Sequence, residues 1–109
     1  MIIDFKKLEE TSTPAFKGGL GAFDCAAFID DTHRIMRGHL APGSSIGFHS
    51  HDETSEILFI HKGEGHVIED GETKAIKEGM CNFCPKGKSH SLINDGISDM
   101  IFFAVVAKE

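Results

Sequence analysis

Three residues in the middle of the chain have the types and spacing that bind a metal ion. His49 and His51 are two positions apart, so both imidazoles project from one face if the segment is a β-strand. Glu56 opens the next apolar run, in which Leu58 and Ile60 share its face. A carboxylate on an apolar face is costly unless it is paired, and a metal ion is one of the few partners that makes it tolerable.

A third histidine, His90, lies far along the chain and completes a set of three imidazoles and one carboxylate. Such a set leaves about two positions of an octahedral ion open for water, substrate or dioxygen. Imidazole suits zinc, copper, iron and nickel, and the carboxylate extends the range to manganese. We therefore expect one divalent transition metal ion as cofactor, with Mn, Fe, Ni, Co and Zn not distinguished by the ligand types. The alternative is a site that folds without metal.

Turn-forming pairs at short, even intervals indicate the elements that must position this set. Between them lie short runs rich in Ile, Val, Phe and Leu, which predict strands near 23–29, 34–40, 46–51, 56–61, 66–69, 73–77, 80–84, 89–94 and 98–106. Asp70-Gly71 between two alternating runs predicts a two-residue hairpin turn. Residues 11–22 look like an irregular lead-in. The pattern predicts an all-β fold, either a barrel or a two-sheet sandwich.

Composition excludes several classes of function. The chain has 109 residues, 17 acidic and 11 basic, and a net charge of −6. This charge repels phosphate backbones, so we expect no nucleic-acid partner. The longest apolar run, residues 100–107, is far shorter than the roughly 20 residues of a membrane helix, and the N-terminus lacks the apolar stretch of a signal peptide. We therefore expect no membrane partner. Three cysteines cannot all pair, and a chain of this size does not need disulfides, so we expect a cytoplasmic protein.

Two spaced motifs resemble those of the cupin family. The first is Gly43, five residues, His49-Ser50-His51, four residues, Glu56, six residues and Gly63. The second is Gly79, five residues, Pro85-Lys86-Gly87, two residues, His90, three residues and Asn94. Every fixed position of both motifs is filled, and 15 residues separate them.

The resemblance implies a single cupin domain over residues 1–109, with motif 1 at 43–63 and motif 2 at 79–94. It implies a jelly-roll barrel, also called a double-stranded β-helix, with a metal ion near one mouth. His49, His51, Glu56 and His90 match the metal ligands of the family. The resemblance also implies a homodimer that forms through sheet faces or swapped N-terminal strands.

Several other residues are candidates for roles around the metal. His39 and His66 lie on predicted strands, where each could orient a ligand from behind or act as a base, although a structural or surface role is the simpler interpretation. Asn94 either contacts the ligands or forms the turn before Asp95-Gly96, and we favour the turn. His61 alternates away from Glu56, which places it on the outer face. No catalytic residue can be named.

Cationic and sulfur side chains allow further alternatives. Arg34, Arg37 and Lys88 are candidate partners for an anionic substrate, and alternation lets at most one of the two arginines face inward. Cys81 and Cys84 form a C-x-x-C pair, but residues three apart on a strand face opposite sides. We therefore interpret them as small apolar residues and not as a zinc or redox site.

Three classes of function remain open. The first is a metal-dependent enzyme, of dioxygenase, decarboxylase or isomerase type, acting on a small anionic or chelating metabolite. The second is a non-catalytic module that binds or senses such a small-molecule ligand through its metal. The third is a structural role in which metal only stabilises the barrel. Polar or cationic groups that converge on the ion favour catalysis or specific binding, whereas a pocket walled only by Leu, Ile and Met favours apolar ligands or none.

Overall fold

The computed structural model describes residues 1–109, and ten β-strands dominate it. The strands are β1 (Glu10–Pro14), β2 (Ala22–Ile29), β3 (His33–Leu40), β4 (Ser45–Ser50), β5 (Thr54–Lys62), β6 (Glu64–Glu69), β7 (Glu72–Lys77), β8 (Cys81–Cys84), β9 (Ser89–Ile93) and β10 (Met100–Lys108). Two short 3-10 segments, Phe5–Lys7 and Phe16–Gly18, are the helical parts of the chain. Neither has the length and apolar character that a membrane-crossing helix requires.

The strands form two antiparallel sheets that enclose one core. The six-stranded sheet has the order β1-β2-β3-β10-β5-β8, and the four-stranded sheet has the order β4-β9-β6-β7. Strands distant in sequence, such as β3 and β10, are neighbours because the chain winds alternately between the sheets. The fold is a double-stranded β-helix, which confirms the all-β prediction.

The core between the sheets requires a glycine in its wall. The rings of Phe23 and Phe102 stack with centroids 5.9 Å apart, and Leu40 and Met100 are fully buried beside them. The Phe102 ring lies over Gly38 of β3, where an added Cβ would come within 2.3 Å of the ring. The barrel closes around this aromatic pair because residue 38 has no side chain.

All nine predicted strands are present, with ends that differ by up to two residues, but the prediction of an irregular lead-in missed β1. Residues 10–14 pair with β2, with Thr11 opposite Cys25. Every residue of β1 is exposed, so the segment has none of the hydrophobic alternation that marks a half-buried strand. Backbone pairing with a buried neighbour creates this edge strand, and that pairing leaves no local signal.

The predicted hairpin turn is confirmed between β6 and β7. Asp70 and Gly71 have φ values of 51° and 73°, and positive φ at both central residues is the requirement of a type I′ turn. Glu69 is the last residue of β6 before this turn. Along the edge of β6 that pairs with β9, Glu69 lies opposite His90. This register brings Glu69 close to the back of the predicted metal ligands.

Candidate metal centre

Strand pairing brings the four predicted ligands together. β4 pairs with β9 so that His49 lies directly opposite His90. His51 follows the end of β4, where its backbone N–H donates to Lys88 O and fixes the loop before β9. Glu56 enters from β5 in the opposing sheet. The two sheets thus meet at this cluster, which we call the His3Glu cluster.

The ligand atoms of the cluster converge on one point. All four lie within 4.8 Å of one another. Glu56 Oε1 is 2.6 Å from His90 Nε2, 3.3 Å from His51 Nε2 and 3.9 Å from His49 Nε2. His51 and His90 also bring their Nε2 atoms within 3.1 Å of each other. Except for His49, which is half-buried, these residues are buried.

The outer nitrogen of each imidazole has a partner that orients the ring. The Nδ1 contacts are His49 with Gly47 O at 2.8 Å, His51 with Thr54 Oγ1 at 3.0 Å and His90 with Asn82 Oδ1 at 2.9 Å. A carbonyl oxygen only accepts, so the Nδ1–H groups of His49 and His90 donate, and their neutral rings present a lone pair at Nε2. Such partners hold metal-binding imidazoles in the required tautomer.

The cluster therefore presents electron pairs and no counter-charge. Burial raises the pKa of Glu56, but the three histidines outweigh it and lower the pKa far below the ordinary value whenever a proton occupies one of their Nε2 atoms. The carboxylate is ionised and faces imidazole nitrogens that present lone pairs. Acceptors this close repel one another unless a proton or a cation lies between them. The donor set, three imidazoles and one carboxylate, fits a divalent transition metal ion.

A chain of polar side chains continues behind His90. Asn82 of β8 is buried, and its Nδ2 donates to Glu69 Oε2 at 3.2 Å while its Oδ1 accepts from His90. Glu69 also contacts the exposed Lys74 at 3.5 Å. The series His90–Asn82–Glu69–Lys74 connects the cluster to the surface. Asn82 and Glu69 were not predicted from the sequence, although Asn82 shares a strand face with Cys84, and an amide on an otherwise apolar face was a usable signal.

The cluster opens into a cavity of about 210 Å³ between the sheets. Eight of its 15 lining residues are hydrophobic, among them Leu58, Leu92 and Phe102. The charged lining residues are the cations Arg34 and Lys17 and the anion Glu56. A divalent ion bound at the cluster would make this lining cationic, in a chain of net charge −6. The lining is thus mixed, apolar walls with cationic groups, and suits a small anion.

The structure places the other candidate histidines away from the cluster. His39 points to the outer face, where it contacts Asp24 at 3.1 Å and Asp99 at 3.2 Å. Burial lowers the pKa of His39, but hydrogen bonds to these carboxylates outweigh it and raise the pKa above the ordinary value. His66 pairs with Asp95 at 2.7 Å. Neither histidine contacts a residue of the His3Glu cluster, so the structural interpretation describes both.

Asn94 also has a structural position, as the favoured interpretation expected. It is fully buried, and its Nδ2 donates to Leu40 O and Ser98 O. Its Oδ1 accepts from the backbone N–H of Gly96, which forms the turn after β9. These bonds tie three segments of backbone together and make no contact with the ligands. The residues that orient the ligands are Gly47, Thr54 and Asn82 instead.

The remaining candidates divide between the two faces of the six-stranded sheet. Arg34 lines the cavity, whereas Arg37 contacts Glu10 on the outer face at 3.7 Å. Lys88 is exposed on the loop before β9 and does not line the cavity. His61 is exposed, and its ring contacts Phe103 with centroids 5.6 Å apart.

The three cysteines are free thiols. Cys25 and Cys84 are buried, whereas Cys81 is exposed. Cys81 and Cys84 face opposite sides of β8, as the strand geometry predicted, and burial raises the pKa of Cys84 to about 11. A thiol with so high a pKa is a poor nucleophile and a poor metal ligand at neutral pH.

Comparison with known proteins gives the class to which this fold and site belong. The cupin domain model matches residues 36–106. The oxalate-binding protein of Thermotoga maritima is 32% identical over 112 residues, which cover 97% of this chain and 93% of that protein. A germin-like protein of Morus alba is 34% identical over 74 residues, which are 63% of this chain and 35% of that protein. The chain belongs to the cupin family.

Solved structures agree with this assignment. The crystal structure of a predicted oxalate decarboxylase from Thermotoga maritima has a TM-score of 0.93, 30% identity and full coverage of both chains. An RmlC-like cupin from Shewanella frigidimarina has a TM-score of 0.81 at 16% identity, with 99% of this chain and 90% of that chain covered. The second likeness concerns the fold alone. The chain is a cupin with a His3Glu cluster that could hold a metal ion.

Proposed function

We propose that this cupin binds a divalent metal ion through His49, His51, Glu56 and His90 and uses it to hold a small chelating carboxylate. The observation that carries the proposal is the convergence of four electron-pair donors on a cavity whose remaining charged groups are cations. A metal ion bound there would supply Lewis acidity towards carboxylate oxygens. The relative that is named an oxalate-binding protein makes oxalate the first ligand to test.

The chain's own residues divide the work of binding. Gly47, Thr54 and Asn82 hold the imidazoles with Nε2 towards the cavity, so the site is formed before a ligand arrives. The apolar walls exclude water and strengthen the attraction between the cationic groups and an anion. A volume of about 210 Å³ suits a ligand of a few heavy atoms.

Turnover of the bound ligand is the second candidate function. Decarboxylation is the favoured reaction class, because a similar structure is that of a predicted oxalate decarboxylase. The hydrogen oxalate ion would break its C–C bond to give carbon dioxide and formate, and the proton would end on the formate carbon. Glu56 is the only carboxylate that lines the cavity, so no acid independent of the cluster stands ready to deliver that proton. This observation makes binding the first candidate and catalysis the second.

One experiment separates the two candidates. The purified chain, loaded with Mn²⁺ or Co²⁺, is titrated with oxalate by calorimetry, and ¹³C-labelled oxalate is followed by NMR. Binding without formate supports the first candidate, and formate production supports the second. His49→Ala is the control that removes one ligand, and it is expected to abolish both metal loading and oxalate binding. Both candidates are contradicted if the metal-loaded wild-type protein neither binds nor converts oxalate or other chelating acids.

We also propose that the chain forms a homodimer through the outer face of β5 and β8. Ile57, Phe59 and Phe83 are 37%, 53% and 55% exposed on this face, and Ile57 lies opposite Phe83 in the strand register. Cys81, opposite Phe59, adds no charge. Contiguous exposed apolar side chains are typical of interfaces, and two copies of an uncharged face can meet without bringing like charges together.

The dimer is tested by sedimentation with a matched pair of variants. Phe83→Asp places a charge on the proposed interface, and it is expected to give monomers. Ile97→Asp adds the same charge at a residue that is 99% exposed elsewhere, and it is expected to leave the dimer intact. A wild-type chain that sediments as a monomer at all concentrations refutes the proposal.

A reducing, cytoplasmic location remains our proposal as well. It is supported by the three free thiols, none of which forms a disulfide. Cell fractionation with an antibody against the chain is the direct test, and recovery in an oxidising compartment contradicts it.

A further inference from the structure

Arg34 and Glu56 of the His3Glu cluster lie on the same sheet, two strands apart, and both line the cavity. Val106 of β10 lies opposite Arg34 of β3 on one side and opposite Glu56 of β5 on the other. All three residues line the cavity. Since neighbouring strands are about 4.8 Å apart, the backbone positions of Arg34 and Glu56 are separated by roughly 10 Å. A guanidinium on its long side chain and a metal ion at the cluster would thus face the same small volume.

The Arg34 guanidinium has no anionic partner in the protein. None of the chain's ion pairs includes Arg34, whereas Arg37 on the same strand pairs with Glu10. The Nε atom of Arg34 is buried and without a hydrogen-bond partner. Cys25 is close by, but burial raises the pKa of its thiol even though the guanidinium lowers it, so the thiol is neutral. Arg34 as a whole is half-buried, but a buried N–H without an acceptor is costly, which indicates that a group from outside the chain completes it.

We propose that Arg34 is the specificity-determining residue that selects dicarboxylates, with one carboxylate of the ligand at the metal and the other on the Arg34 guanidinium. The inference rests on the proposed function, because it assumes that the cluster holds a metal ion and a carboxylate. The planar guanidinium offers parallel N–H donors that match the two oxygens of a carboxylate. A second carboxylate on the ligand would accept a hydrogen bond from the buried Nε–H and neutralise the guanidinium. A monocarboxylate has no such group left once its carboxylate is at the metal.

Lys17 has a different role at the same cavity. Its Nζ lies 5.6 Å from the centroid of the Phe16 ring, on the exposed turn at the cavity mouth. A hydrated ammonium group there attracts any anion, whatever the number of its carboxylates. Lys17→Gln is therefore expected to weaken both acids only slightly, and the doubly charged one somewhat more, because solvent screens the exposed ammonium group. The selective loss of the dicarboxylate in Arg34→Gln is expected to exceed this difference.

The test compares two chelating acids on the Co²⁺-loaded chain, with binding read from the visible spectrum. Oxalate carries two carboxylates, whereas glycolate chelates through one carboxylate and one hydroxyl. Arg34→Gln is expected to weaken oxalate about 10- to 100-fold, the equivalent of lost charge-assisted hydrogen bonds, and glycolate by less than about threefold. Arg34→Lys keeps the charge but loses the fork, so we expect an intermediate loss. Arg37→Gln, on the other face of the same strand, is the matched control.

A second measurement separates recognition from a structural role. Without ligand, Arg34→Gln removes an unpaired charge from the barrel, so the midpoint of urea unfolding is expected to stay level or rise. The proposal is refuted if Arg34→Gln binds oxalate as wild type does, if it weakens both acids equally, or if it destabilises the ligand-free chain. If the loaded wild-type chain binds neither acid, the proposed function itself fails. If the wild-type chain binds both acids and Arg34→Gln keeps the same preference for oxalate over glycolate, the proposed carboxylate binding stands and only the role of Arg34 is refuted.

Discussion

Replacement of Asn82 by leucine tests whether the side chains behind the ligands set the affinity for metal. In the wild-type chain, Asn82 Oδ1 accepts from His90 Nδ1 at 2.9 Å, and this bond keeps the Nε2 lone pair available. Leucine has a similar size but no acceptor. The His90 ring can then move its proton to Nε2 and donate to Glu56, which lies 2.6 Å away, so the metal-free state is relieved. The metal-bound state has no such escape, because Nε2 is needed for the ion.

The difference between these two states gives the magnitude. An unsatisfied buried donor costs about 1–3 kcal/mol, and most of that cost falls on the metal-bound state. This agrees with the roughly 10- to 100-fold losses of affinity, about 1.4–2.8 kcal/mol, that follow removal of residues that orient metal ligands. We expect Asn82→Leu to lose Co²⁺ or Mn²⁺ affinity in this range.

Competition against a chromophoric chelator measures the affinity, and urea unfolding without metal checks the fold. Glu69→Gln is the matched control, because its amide oxygen still accepts from Asn82 Nδ2, and its affinity should stay within about threefold of wild type. A fully folded Asn82→Leu chain with wild-type metal affinity would refute the reasoning that this hydrogen bond selects the tautomer of His90.

Three further predictions follow from the packing and the charges. Metal analysis should find that His90→Ala has lost stoichiometric metal and that His61→Ala, altered at an exposed ring, retains it; a fully loaded His90→Ala chain would contradict the ligand assignment. Gly38→Ala forces a methyl group against Phe102 and should lower the free energy of unfolding by about 1–3 kcal/mol in urea titrations. The raised pKa of His39 stabilises the fold below the unfolded-state pKa of about 6.5, and this stability disappears as the pH rises through the folded-state pKa. His39→Gln should therefore destabilise the chain at pH 5.5 but not at pH 8.5, by less than about 1 kcal/mol because solvent screens the pairs; equal loss at both values would show that the charge is irrelevant.

Much of the fold could be predicted from short segments of the sequence. The hairpin turn at Asp70 and Gly71 and the nine strands with apolar side chains were predictable, because positive φ and hydrophobic alternation are properties of short segments. Strand β1 was not, since its exposed residues carry no alternation and only pairing with β2 makes it a strand. The same limit applies wherever an element depends on a distant partner.

The types and spacing of His49, His51, Glu56 and His90 were readable along the chain, and the structure brings their ligand atoms together. Their supports were not readable. Asn82 lies 8 positions from His90 and in the other sheet, so it meets His90 only because the two sheets close over one another. Glu69 lies 21 positions away, and the pairing of β6 with β9 sets it opposite His90. Hydrogen bonds between sheets depend on how the barrel winds, which no local pattern records.

Arg34 and Arg37 illustrate what the sequence determined and what only the tertiary structure decided. Alternation alone fixed that at most one of them faces inward, because the period of a strand is two. Which one does so was decided by the register with β10, which sets Arg34 beside Val106 and the cavity. On β4, a register shift between Ile46 and His49 lets both line the cavity although alternation places them on opposite faces. The sequence determined relative spacing and ligand chemistry, whereas pairing between distant strands decided which faces point inward, since that choice depends on contacts across the whole barrel.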